Sequence, residues 1–122
     1  MGMVQVDIEV GHRDGGEMVR IPDVLVDTGS AHTTLPAAAL KELHIDPIDH
    51  VGIVLPNCEE VEWGVGEAKV RIAGRSEEWT CPVYFCPREE YLLGATTLEI
   101  FGLMVDPIEH GLIRKQVRAR SI

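Results

Sequence analysis

The chain is short of basic charge. Its 122 residues carry 11 Lys and Arg against 20 Asp and Glu, a formal net charge of -9. Affinity for phosphate backbones comes chiefly from lysine and arginine, so nucleic acid is excluded as the main partner. Arg114, Lys115, Arg118 and Arg120 form a basic tail, read as a solvated terminus that offsets the acidic body. Cysteine is scarce and odd in number: Cys58, Cys81 and Cys86. At least one must stay unpaired, which excludes a disulfide framework and points to ordinary thiols in a reducing compartment. Zinc is a poor fit as well, because Cys81 and Cys86 have no second ligand pair of matching spacing. No stretch approaches the roughly 20 consecutive apolar residues that span a membrane. The start, Met1-Gly2-Met3-Val4-Gln5-Val6-Asp7, has no basic region followed by an apolar block, so the expected location is cytoplasmic. Internal repeats, low-complexity segments and linkers are absent too, and the expectation is a single domain over 1–122. That length is enough to bury roughly two thirds of the unfolded surface without staples.

What is present is β patterning. Val4, Val6, Ile8 and Val10 alternate with Gln5, Asp7 and Glu9, giving one apolar face of a strand. Gly11 to Gly16, with Asp14-Gly15 inside, supplies turn chemistry, and Glu17 to Val26 reads as the returning strand, interrupted or bulged near Pro22. Thr33 to Leu35 predicts a short strand, and Pro36 to Leu43 a short helix with proline in its first turn. Val51 to Leu55 and Glu60 to Trp63 flank the turn-like Pro56-Asn57-Cys58-Glu59 and predict a second hairpin. Gly64 to Ile72, Trp79 to Phe85 and Leu103 to Val105 complete a set of short strands. Trp63 and Trp79 lie in strand-like segments and are assigned to core or hairpin-base packing. The acidic runs Glu59-Glu60, Glu77-Glu78 and Glu89-Glu90 are read as solvated turns.

Two segments carry chemistry. The apolar run Val24-Leu25-Val26 delivers Asp27-Thr28-Gly29-Ser30, and a carboxylate at a strand end is costly to bury unless compensated. Its bland alternative is an Asx turn, with the side chain bonded to a backbone N–H two residues on. Downstream, Tyr91-Leu92-Leu93-Gly94-Ala95-Thr96-Thr97-Leu98-Glu99-Ile100-Phe101-Gly102-Leu103 has two apolar residues, a glycine and then a short helix. Together these segments resemble the retropepsin-like family, the single-domain aspartic proteases that include retroviral enzymes and small bacterial and archaeal relatives. The likeness spans roughly Met3 to Leu112.

The resemblance implies an all-β fold, a closed or nearly closed barrel with one or two short helices. It implies Asp27 as the catalytic residue, with Leu92, Leu93 and Gly94 passing behind the Asp27 loop to support it. Thr28 becomes the residue that bonds across the dimer, Gly29 the close-approach position, and Ser30 a donor to the outer carboxylate oxygen. A serine nucleophile at Ser30 is the sharper alternative, but the five histidines offer no triad context, and His32 is read as a loop side chain. Leu55, Pro56 and Asn57 fall where the family carries its flap. Retroviral flaps are glycine-rich at the tip; here glycine appears only at Gly52, Gly64 and Gly66. That leaves a stiffer flap, a different closure, altered peptide binding, or an ordinary surface hairpin.

The motif occurs once per chain, whereas the chemistry needs two carboxylates sharing a proton. The implied assembly is therefore a homodimer acting on a peptide or protein substrate, with no metal and no cofactor. The rival reading is a non-catalytic dimerising or peptide-binding module with the same fold. A third is a domain active only on one dedicated partner or on its own precursor.

Overall fold

The structure is a computed structural model and describes residues 3–116. Nine strands and two helices follow one another among the described residues. Strand β1 (Gln5–Gly11) pairs antiparallel with β2 (Val19–Val26). Opposite Asp7 the register slips, so that Pro22 and Asp23 of β2 face one residue of β1, with Asp23 at φ 55. This is the bulge expected near Pro22, since proline cannot donate to the ladder. Asp7 repairs the gap: its Oδ1 accepts the Asp23 N–H at 2.9 Å, and its other oxygen is held by Arg20.

Strand β3 (Thr33–Pro36) leads into α1 (Ala37–Glu42), for which Pro36 serves as the N-cap position. After it, β4 (Asp49–Val54) and β5 (Glu60–Ile72) form the second hairpin. The separate strands expected over Glu60–Trp63 and Gly64–Ile72 are one continuous 13-residue strand. Gly64, at the expected boundary, and Gly66 are sites of close approach. A Cβ on Gly66 would meet the Asp46 carbonyl at 2.9 Å and the Phe85 ring at 3.0 Å, so bare backbone lets both lie against the strand.

Strand β6 (Glu78–Cys86) pairs with β5 antiparallel and with β3 in parallel. The two-residue β7 (Leu92–Leu93) then lies between β2, parallel, and β3, antiparallel. With β1 also paired to β5, the order β1-β2-β7-β3-β6-β5 closes on itself, and β4 hangs from β5 as an edge. The expected closed or nearly closed barrel takes the form of this ring-like sheet. Alternate residues point inward, placing Ile8, Val10, Val24, Leu35, Val70 and Val83 fully buried at its centre. Helix α2 (Ala95–Phe101) buries Leu98 and Phe101 against the same core.

Trp79 is not core: it is 50% exposed, because, although it shares the parity of the buried Cys81, Val83 and Phe85, it lies at the start of β6, where Glu78, Trp79 and Thr80 are all exposed. Past α2, the strand expected over Leu103 to Val105, here β8 (Leu103–Asp106), pairs with the unanticipated β9 (Gly111–Arg114) in a small second sheet. Arg114 and Lys115 stay exposed and offset acidic side chains, bonding Glu77 at 3.2 Å and Glu99 at 2.7 Å. Arg118 and Arg120 lie outside the described residues. No helix among the described residues is long and apolar enough to cross a membrane.

Candidate active site

Asp27 stands at the end of β2, and the chain behind it explains why it stays there. Its N–H donates to the Leu93 carbonyl at 2.9 Å, extending the parallel β2–β7 pairing one residue past the strand. Gly94 then passes directly behind the loop. A Cβ there would lie 2.4 Å from the His32 carbonyl carbon and 2.8 Å from the Thr33 nitrogen, a gap only glycine can occupy. The Gly94 N–H donates to Thr33 Oγ1 at 3.1 Å, and that hydroxyl is 2.6 Å from Thr97 Oγ1, both threonines being buried.

Helix α2 begins at this point without a side-chain cap. Its first N–H groups are satisfied by the loop itself: Ala95 donates to the Ser30 carbonyl and Thr96 to the Ala31 carbonyl, each at 2.8 Å. Leu93 and Gly94 thus back the Asp27 loop, and helix α2 holds the loop through its first N–H groups.

Within the loop, the Gly29 N–H donates to Asp27 Oδ1 at 3.0 Å, and the Ser30 N–H to the Asp27 carbonyl at 3.1 Å. The Asx turn considered as an alternative is therefore present, and it orients the carboxylate. Ser30 departs from expectation: its hydroxyl donates to the His32 carbonyl at 2.9 Å and leaves the carboxylate to Gly29. The His32 ring faces away from Ser30, with Nδ1 3.1 Å from Thr96 Oγ1 and the imidazole against Tyr84 at 4.9 Å between centroids. No serine–histidine pair exists here to activate a nucleophile. Thr28 is exposed on the loop's outer side.

The β4–β5 hairpin closes over this loop. Asp27, Gly29 and Ser30 share a cleft of about 470 Å³ with Leu55 and Pro56. Asn57 is outside it, at the hairpin tip, where its Oδ1 accepts the Glu59 N–H at 3.0 Å and makes a tight turn. Cys58 follows with φ 68, so the tip is a compact turn stabilised by a side chain where a glycine-rich segment would be loose. Trp63 lines the cleft from the hairpin base, edge-on to Tyr84 at 6.4 Å. Two further residues line the cleft: Glu90, read as part of a solvated turn, and Arg88, which the sequence did not single out. The signal that assigns Glu90 is alternation: it shares strand parity with Leu92, whereas Tyr91 points to the opposite side.

A larger cavity of about 860 Å³ lies on that opposite side, lined by His12, Arg20, Leu43, His44 and Tyr91. It holds none of the Asp27 loop. Among the described residues no cluster of His, Cys, Asp and Glu has the arrangement to hold a metal ion.

No protein-family model and no curated protein matches the sequence. Among solved structures, the fold is similar to that of the protease of simian foamy virus (mac), determined in solution. The TM-score is 0.51 at 18% identity, covering 80% of this chain and 93% of that one. At that identity the likeness concerns the fold, which is that of the retroviral-type proteases.

Proposed function

We propose that the protein is an aspartic endopeptidase that works as a homodimer, with Asp27 of each copy meeting its equivalent at a twofold axis. The observation that carries this reading is the placement of the single Asp27 carboxylate. It is oriented by Gly29 inside a peptide-sized cleft, on a loop whose outer side, Thr28 and Gly29, is exposed. One carboxylate cannot act as both acid and base toward one peptide bond. Isologous pairing of two identical loops supplies the second.

In the dimer the paired carboxylates share one proton, because two like charges in contact cannot both ionise. The ionised member takes a proton from a water positioned between them as that water attacks the peptide carbonyl. The protonated member donates to the carbonyl oxygen. Thr28, at the exposed edge of each loop, bonds to the partner loop and holds the two aspartates in register. Bound substrate is an extended peptide. Strand β4 is an edge with β5 on one side only, so backbone donors and acceptors are open to β-addition beside Ile53, Val54 and Leu55.

Cleavage of a diverse peptide library by purified protein tests the reading, with Asp27→Asn as the control. The variant keeps the shape and loses the charge, so cleavage should disappear while the circular dichroism spectrum is retained. Undiminished cleavage by Asp27→Asn would remove the dyad from consideration.

A further inference from the structure

We infer that Glu90 selects substrates with a lysine or arginine beside the scissile bond, an inference that rests on the protease reading of the same cleft. Glu90 and Leu92 lie on one side of the chain entering β7, and both line the cleft that contains Asp27. Glu90 lies three positions before Leu93, whose carbonyl holds the Asp27 N–H. At about 3.3 Å per residue that is roughly 10 Å along the support segment, the span of about three residues of an extended peptide lying in the same cleft.

The carboxylate is only weakly engaged by its own chain. Arg88 Nη2 lies 3.8 Å away, beyond hydrogen-bond range, and the Cys86 thiol at 3.6 Å is a weak donor. Both contacts fall on Oε2. Arg88 is the more solvated partner, its side chain 65% exposed against 39% for Glu90, so their pairing is easily displaced. The remaining lining near the hairpin, Ile53, Val54, Leu55 and Trp63, is apolar and offers a substrate cation no competing charge. Apart from Asp27, a cationic residue entering the cleft thus finds one half-buried carboxylate with free acceptor capacity, that of Glu90. The chain's net charge of -9 also raises the local concentration of basic peptides. In a twofold dimer each copy contributes a Glu90, so a basic residue is favoured on both sides of the cleaved bond.

The test uses peptides of one apolar frame carrying Lys, Leu or Glu at the positions flanking the scissile bond. Two readouts are needed: kcat/KM for the wild type and Glu90→Gln, and binding of the same peptides to Asp27→Asn with and without Glu90→Gln. Lys peptides should lead, and Glu90→Gln should lower the Lys-to-Leu ratio by about fivefold, the upper range for a partly exposed ion pair. Glu90→Lys should shift preference toward Glu peptides, and Arg88→Ala should sharpen the Lys preference. A wild-type preference for Glu peptides would make Arg88 the reader and overturn the inference, as would a Lys-to-Leu ratio that Glu90→Gln leaves unmoved. If nothing is cleaved, binding decides. Glu90-dependent capture of Lys peptides sustains the inference and refutes proteolysis, whereas binding indifferent to charge refutes the inference.

Discussion

A methyl group at position 94 would occupy the space of the His32 carbonyl, at 2.4 Å from its carbon. Neither neighbour can withdraw, because both are main chain and both belong to the Asp27 loop. Gly94→Ala should therefore destabilise the protein by about 3 kcal/mol, the upper end of ordinary overpacking. Thr33→Val acts on the same contact by another route, leaving the Gly94 N–H and the Thr97 hydroxyl unsatisfied at a cost of about 2 kcal/mol. Urea denaturation measures both, and a shift under 0.5 kcal/mol, about the size of a neutral surface substitution, would contradict the buried-network argument. The thiols offer a second check at this scale. Cys58 is exposed at the hairpin tip, while Cys81 and Cys86 are buried, and burial pushes the Cys81 thiol up to about 11. A thiol reagent near neutral pH should modify Cys58 in the folded protein and reach the other two only on unfolding. Rapid labelling of Cys81 in the native state would show the ring to be open there.

Among the elements, the β1–β2 hairpin depends on Asp7, whose side chain replaces the ladder bond lost at the bulge. The Asp23 N–H first, and the Arg20 guanidinium second, hold its carboxyl below the ordinary 3.8. A lowered folded pKa contributes stability above the unfolded value, and that stability is lost as pH falls through the folded one. Asp7→Asn should therefore be less stable than wild type at pH 7, with the gap narrowing as pH falls below the ordinary 3.8. A gap that does not change with acidification would mean that the charge of Asp7 is not its source. This element was legible in sequence because alternation and Pro22 each leave a local mark, whereas the Asp27 loop and Leu92-Leu93-Gly94 stood out only through their joint resemblance to a known family. What escaped was set by distant chain. The strand expected to end at Trp63 runs on through Gly64 and Gly66, where Pro47 and Phe85 need the room. Trp79 looks like core, and shares the parity of Cys81 and Val83, until the start of β6 is seen to be exposed on both faces. Strand β9 has no clean alternation of its own; β8 supplies its hydrogen bonds, and Glu77 and Glu99 anchor Arg114 and Lys115. Glu90 was hidden for the same reason, since its side of the chain is decided by where Leu92 pairs.

For the whole molecule, the decisive property is that each chain holds half of the proposed site. Asp27 sits once per chain, beside the exposed Thr28, and no second carboxylate of the described chain joins it in the cleft except Glu90, three residues from its support strand's end. A site assembled this way depends on chain composition in a manner that a self-contained site does not. If wild-type and Asp27→Asn chains are mixed in equal amounts and allowed to exchange, random pairing leaves about one quarter of the dimers with two intact aspartates. Peptide cleavage should fall to about a quarter of that given by the same total amount of wild-type chain. A site complete within one chain would retain half. The loss should also grow with excess Asp27→Asn, following the square of the wild-type fraction, and dilution of wild type alone should lower the activity per chain as dimers dissociate. Activity that tracks the wild-type fraction linearly, and is unaffected by dilution, would place the chemistry inside a single chain and leave the outer side of the Asp27 loop without a partner.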